Sequence, residues 1–195
     1  MTDWFPYEED EETPGLSPGE TAFLAALREA AGRWPVPFAG SWAARGETEP
    51  SLLAVVSLID SEARVSLGDF GVHVLGDRAR GDLLHNQLYT LPDEPTGFAI
   101  DVTGPPQQLA AECAKWFEAL LSKPVVHARW RHAGAVYAQL WSFGDTGEGL
   151  VQSYDAGSAP RHQEADLQAR GHVRGRGWVQ VAGIEAAPDE VRRVR

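Results

Sequence analysis

The chain has 195 residues, with 28 Asp and Glu against 17 Lys and Arg, a formal charge of −11. A chain of that length folds without disulfide or metal staples, and 43% hydrophobic with 23% charged residues excludes a wholly disordered protein. The single cysteine, Cys113, excludes an internal disulfide and a multi-cysteine metal site, and the acidic excess argues against a nucleic-acid backbone as the main partner.

The charge is concentrated at the start. Residues 1–20 hold Asp3, Glu8, Glu9, Asp10, Glu11, Glu12 and Glu20 and no Lys or Arg. Like charges in a block repel one another, so residues 1–16 are expected to form an acidic, disordered tail. Trp4, Phe5 and Tyr7 precede the carboxylates directly. Aromatic rings beside acidic residues suit a segment that docks on a basic, grooved partner, and the simpler alternative is a solvated tail whose rings pack back on the domain.

Folded structure is expected as one domain over residues 17–195. Ser17-Pro18-Gly19-Glu20 reads as an N-cap serine, a proline in the first turn and a glutamate three residues after the cap. Phe23, Leu24, Leu27, Ala30 and Ala31 follow at helical spacing up to Gly32. Pro35 and Pro37 then impose an extended stretch carrying Trp34, Phe38 and Trp42.

From Leu52 to Val102 the hydrophobic period becomes two. Leu52–Ile59, Ala63–Leu67, Gly71–Leu75, Leu83–Leu91 and Gly97–Val102 read as strands of a meander. A second helix opens at Pro105-Pro106, shows Leu109, Cys113, Trp116, Leu120 and Leu121 on one face, and closes at Ser122-Lys123-Pro124. Val125–Arg131, Ala135–Phe143 and Leu150–Tyr154 are further strands. Residues 156–177 read as loop, with a last short strand at Trp178–Val181. The strands never alternate with helices as a parallel sheet requires. The expected fold is α+β, a largely antiparallel sheet of about six to eight strands with two main helices on one face.

Short chemical motifs are sparse. The histidines at 73, 85, 127, 132, 162 and 172 form no metal-ligand spacing, and no metal or cofactor is expected. Cys113 sits mid-helix on the apolar stripe, away from the helix N-terminus that lowers a thiol pKa. Asp145-Thr146-Gly147 echoes an aspartic-protease triplet but reads better as a hairpin turn, and Arg80-Gly81-Asp82 is a chance-level tripeptide match. Arg170–Gly177 has the makings of an anion-binding loop. Alternation puts His127, Arg129 and Arg131 on one face of a strand, with Tyr137 and Gln139 as neighbours on the next. That face suits an anion or a partner's carboxylates, against the plainer reading of a solvated sheet face.

The reading that follows is a non-enzymatic, protein-binding module, with Trp4, Phe5, Tyr7, His127, Arg129, Arg131 and Tyr137 as contact residues and another protein, or a second copy, as partner. The alternative is a small enzyme or ligand-binding domain with a His/Arg-lined pocket on the sheet, drawing on His85, His127 and Asp101. The order of elements resembles secretion-chaperone-type folds and bacterial immunity proteins, a likeness that implies protein binding without any shared motif. The absence of a basic-then-apolar leader and of any apolar run near ~18 residues predicts a cytoplasmic protein outside the membrane. Lysine scarcity beside abundant Ala and Gly matches a bacterial, GC-rich coding sequence.

Overall fold

The computed structural model describes residues 4–7, 15–34, 40–45, 51–85 and 88–195. The chain divides into two compact units, Met1–Ser122 and Lys123–Arg195, where the sequence pattern suggests one body from residue 17. The class is α+β, with antiparallel sheets and both main helices in the first unit.

The first unit begins its regular structure at α1, Pro18–Ala31. Its start is the expected capping box: Ser17 Oγ accepts from the Glu20 N–H, and the Glu20 carboxylate accepts from the Ser17 N–H. Phe23, Leu24, Leu27 and Ala31 form its buried stripe. Five strands then run as an antiparallel meander in chain order: β1 Gly40–Arg45, β2 Leu52–Asp60, β3 Val65–Leu75, β4 Arg78–Leu83 and β5 Ile100–Thr103. The second helix, α2 (Pro106–Ser122), packs against α1 and reaches β4 and β5. Its Trp116 donates to the Phe98 carbonyl at 2.7 Å, and the Phe70 ring of β3 meets Trp116 edge-on at 6.5 Å.

Two strands depart from the sequence pattern. The two short strands expected around Gly68 are one, β3, which runs through Gly68 beside a bulge at Leu58/Ile59. Arg80-Gly81-Asp82, composed of turn-forming residues, lies within β4, while the expected strand Leu83–Leu91 is a loop except for an isolated His85–Thr90 bridge, residues 86–87 lying outside the described residues. Gly81 is accepted there by close packing, because a Cβ would come within 2.6 Å of Val72 Cγ1 and 2.8 Å of the Gly71 carbonyl.

The aromatic start of the chain belongs to the core of this unit. Trp4 is 6% exposed and Phe5 0%. Phe5 sits 5.5 Å from Phe117 of α2, and Trp4 meets Trp34 edge-on at 4.8 Å. Backbone bonds hold the segment: the Phe5 N–H donates to Ser41 Oγ, the Ala43 N–H donates to the Pro6 carbonyl, and Arg28 donates twice to the Phe5 carbonyl at 2.8 and 3.2 Å. Those bonds stabilise a left-handed backbone at Phe5 (φ 52°), which a bulky residue adopts at a cost. Tyr7 forms a parallel bridge to Ala43 on β1 and is half-buried. Residues 1–3 and the acidic run 8–12 lie outside the described residues, as do Pro35, Pro37 and Phe38.

The second unit contains β6 Val125–His132, β7 Ala135–Phe143, β8 Gly149–Tyr154, α3 Gln163–Ala169, β9 Val173–Arg174, β10 Trp178–Val179 and β11 Glu190–Arg193. Four strands make an antiparallel sheet in the order β11-β6-β7-β8, and β9 and β10 make a separate ribbon. The core gathers Trp130, Tyr137, Ala138, Leu167, Val179, Val181 and Ile184. The sequence pattern misses α3 and β11. The helix buries a single side chain, Leu167, so no apolar stripe announces it, and β11 is a four-residue strand of charged and half-buried positions.

Two outcomes follow for stability. Phe5→Ala removes a fully buried ring and is expected to cost about 3–5 kcal/mol, read as a lower urea midpoint with the slope unchanged. The second concerns Glu20, which pairs with Arg45 while both side chains are mostly covered. Burial alone raises the Glu20 pKa, but bonds from Arg45 and Ser17 outweigh it and hold the carboxyl below its ordinary value of 4.5. A depressed carboxyl contributes stability above its unfolded pKa and loses it as pH falls through the folded one. Glu20→Gln is therefore expected to lower the melting temperature at pH 7 and to flatten its decline below about pH 4.5, where wild type and variant converge.

Candidate functional site

The strand expected to offer a cationic face, β6, is an interior strand. It pairs on one side with β7 and on the other with β11, which sets Arg192 opposite His127 and Glu190 opposite Arg129. His127 is 1% exposed and stacks flat on Trp141, ring centroids 3.8 Å apart. Its Nε2 lies 3.1 Å from Gln139 Oε1, and its Nδ1 accepts at the long distance of 3.5 Å from Arg192 Nη2. Gln139 in turn donates to Ser153 Oγ at 3.3 Å, so one polar row crosses all four strands. Arg129 sits 3.4 Å from the Glu190 carboxylate. Arg131 alone of this set is fully exposed; its backbone N–H donates to Asp189 and its guanidinium to the Gly134 carbonyl.

Tyr137 does not join that row. The register jumps from Trp130–Ala138 to Arg131–Val136, which leaves Tyr137 as the extra residue of a bulge on β7. Alternation is broken there, and the Tyr137 ring packs in the core with Trp130. Burial pushes the phenol pKa up, with the Asp189 charge adding to it. Of the expected contact residues, the structure thus brings together His127 and Arg129 in one row, and Trp4 and Phe5 in the other unit's core.

A more exposed arrangement lies on the β9–β10 ribbon, within the segment Arg170–Gly177 and its continuation. The register pairs Val173 with Val179 and Arg174 with Trp178. Alternation sends one pair to each face. Val179 is buried in the core and Val173 packs against it, so the other pair faces outward: Trp178 is 56% exposed and Arg174 is exposed. The connection Gly175-Arg176-Gly177 closes the hairpin with Gly175 at φ 55° and Gly177 at φ 97°, conformations glycine adopts without a Cβ penalty. Arg176 at its tip has no hydrogen bond or ion pair among the described residues. Arg174 faces the Gln180 side-chain amide, which, when oriented with its oxygen toward the guanidinium, accepts from Nε and Nη2 at 3.2 and 3.3 Å.

The base of the ribbon is fixed. The Gln152 amide donates to the Val179 carbonyl and accepts from the Val181 N–H, and the Gln180 N–H donates to the His172 carbonyl at 2.7 Å. Beside Trp178 an open cavity of about 370 Å³ is lined by Leu140, Leu150, Val151, His172 and Ala182. Two of those residues, Leu150 and Val151, belong to β8, the edge strand of the sheet. The ribbon therefore presents an indole beside a groove that is apolar at Leu140, Leu150 and Val151 and polar at Gln152, His172 and Gln180, flanked by guanidinium groups. Tryptophan and arginine are the residue types that most often carry interface energy, because each combines a large or planar contact with a polar handle.

Several of the other groups singled out in the sequence are engaged. Cys113 is buried in α2, and loss of hydration, with a smaller effect of Glu112, pushes its thiol up to about 12. Ser51 and His73 are hydrogen-bonded at 3.0 Å, but Ser51 is wholly buried. Asp101 is tied to Arg78, and Asp145-Thr146-Gly147 is the turn joining β7 to β8. Among the described residues no group of three or more His, Cys, Asp or Glu side chains is arranged to hold a metal, and no helix is long and apolar enough to cross a membrane. With its pKa raised and its sulfur covered, Cys113 is expected to ignore a thiol reagent at pH 8 in the native protein and to react at once in denaturant. No family model, curated protein or solved structure matches this chain.

Proposed function

We propose that the chain is a protein-binding module whose contact surface is the outward face of the β9–β10 ribbon and the groove beside it, and that its partner offers an acidic segment with an apolar side chain. The observation that supports this reading is the 56% exposure of Trp178 on a ribbon whose other face is locked into the core. An indole left in water on a rigid support, next to a partly apolar groove, loses hydration favourably when covered, by about 2–3 kcal/mol. The acidic character of the partner follows from charge. Arg174 and Arg176 stand at the ribbon, and residues 156–195 hold seven arginines against five acidic residues. A guanidinium pairs with carboxylate in a planar, two-bonded geometry that an ammonium does not match.

Trp178→Ala and a charge reversal, Arg176→Glu, test the reading. Both residues are exposed, so each variant is expected to melt within a few degrees of wild type. Affinity capture from a nuclease-treated lysate of the source cells, followed by titration of the captured protein, is expected to show binding weakened by about 30-fold in Trp178→Ala. Unchanged capture by both variants removes this surface from the function. Retention of nucleic acid in place of protein in an untreated lysate, lost in Arg176→Glu, assigns the ribbon to a different class of partner and overturns the proposal.

A further inference from the structure

The outward face of the first unit's sheet carries a second, independent site. Register places His73 of β3 beside Arg80 of β4, and Arg80 beside Asp101 of β5. Asp101 is occupied by Arg78, which donates to it through Nε and Nη2. Arg80 is exposed and has no hydrogen bond or ion pair among the described residues, although Asp101 lies within electrostatic range. An open depression of about 500 Å³ lies on this face, lined by His73, Leu75, Arg80, Leu91, Pro92 and Asp93 together with Arg78 and Thr90. That volume lies within the range of small-molecule sites.

The loop wall is held at three points. Asp82, 2% exposed, accepts from both the N–H and the hydroxyl of Thr96. His85 and Thr90 exchange backbone hydrogen bonds at 2.7 and 3.1 Å. His73 bridges sheet and loop: its Nε2 donates to the Tyr89 carbonyl at 2.9 Å, which leaves Nδ1 to accept from the Ser51 hydroxyl. A wall fixed before binding spares the ligand the cost of ordering it.

Within this depression one cation and one anion stand apart. Arg80 and Asp93 line the same cavity, each without a hydrogen bond or ion pair among the described residues, and Leu75, at 54% exposure, contributes an apolar surface together with Leu91 and Pro92. The geometry points to a ligand that supplies both missing partners and an apolar group: a free α-amino acid with an aliphatic side chain. Its carboxylate pairs with the Arg80 guanidinium, its ammonium with the Asp93 carboxylate, and its side chain covers Leu75 and Leu91. A carboxylate alone engages only Arg80 and an amine alone only Asp93, so the zwitterion, which engages both, is favoured over either half.

Calorimetric titration of the full chain with L-leucine, L-isoleucine and L-methionine tests this site. Saturable binding of at least one, with Kd below about 1 mM, is expected. Isocaproate and isopentylamine, which carry one charge each on leucine's skeleton, are expected to bind at least about tenfold more weakly, and Arg80→Gln and Asp93→Asn to weaken the amino acid by at least about tenfold. Trp178→Ala is expected to bind it like wild type, so failure here and failure of the ribbon surface are separately readable. Absence of saturable binding by all three amino acids, equal binding of either half-analogue, or unchanged affinity in both variants overturns the assignment.

Discussion

Burial of Phe5 is the constraint on which the first unit depends. Its ring packs among Trp4, Trp34 and Phe117 of α2, and its carbonyl accepts from Nε and Nη2 of Arg28 on α1. One residue near the chain's start therefore joins the two helices and, through Ser41, the first strand, while its neighbour Pro6 accepts from the Ala43 N–H. The left-handed backbone at Phe5 is the mark of that requirement. A bulky side chain adopts such a conformation only where surrounding contacts compensate it, and here an aromatic cluster and three hydrogen bonds to the Phe5 backbone do. It also changes what the chain's start can offer. With Trp4 and Phe5 taken into the core, neither ring is left on the surface for a partner.

The second unit is organised by the parity of short ladders. In the ribbon, two paired positions are enough to decide which side chains meet water, because Val173 and Val179 must face the core and Arg174 and Trp178 then cannot. On β6 the same parity works against exposure. His127 and Arg129 share a face as alternation requires, but β11 brings Arg192 and Glu190 beside them and the charges are met within the sheet. A face that looks available when one strand is considered is completed by another strand some 60 residues later, since |i−j| is 61 for Arg129 and Glu190.

Long periodic signals were legible and short ones were not. The capping box at Ser17 and Glu20, the apolar stripe of α2 and the alternation along β6 each involve several residues, and each forms as its pattern implies. Arg80-Gly81-Asp82 misleads because its turn-forming residues are overruled by packing: Gly81 fits where no Cβ can, and the Asp82 carboxylate is buried on Thr96. Tyr137 misleads because a bulge inserts one residue and breaks the parity on which its placement rests. The arginines of the ribbon are visible in the sequence, but what makes it a surface is Trp178, and only the register with Arg174 shows that the indole faces out.

Charge adds a direction to binding. The first unit holds 20 acidic and 7 basic residues, a formal −13, and the second 8 acidic and 10 basic, +2. The chain's acidity is therefore a property of the first unit and not of the unit that bears the ribbon. An acidic partner is repelled by one and tolerated by the other, so electrostatics selects the face on which encounter occurs before any contact forms. The depression around Arg80 lies in the acidic unit, and there an anionic ligand meets a repulsion that a molecule without net charge does not. A zwitterion meets that condition while still satisfying Arg80 and Asp93. The same charge distribution thus separates the two surfaces by what each accepts: a charged macromolecular segment at the ribbon, and a small neutral molecule with paired charges at the sheet. Added salt screens fields beyond about 10 Å at 0.1 M, which weakens the selection at the ribbon more than the close-range pairing inside the depression.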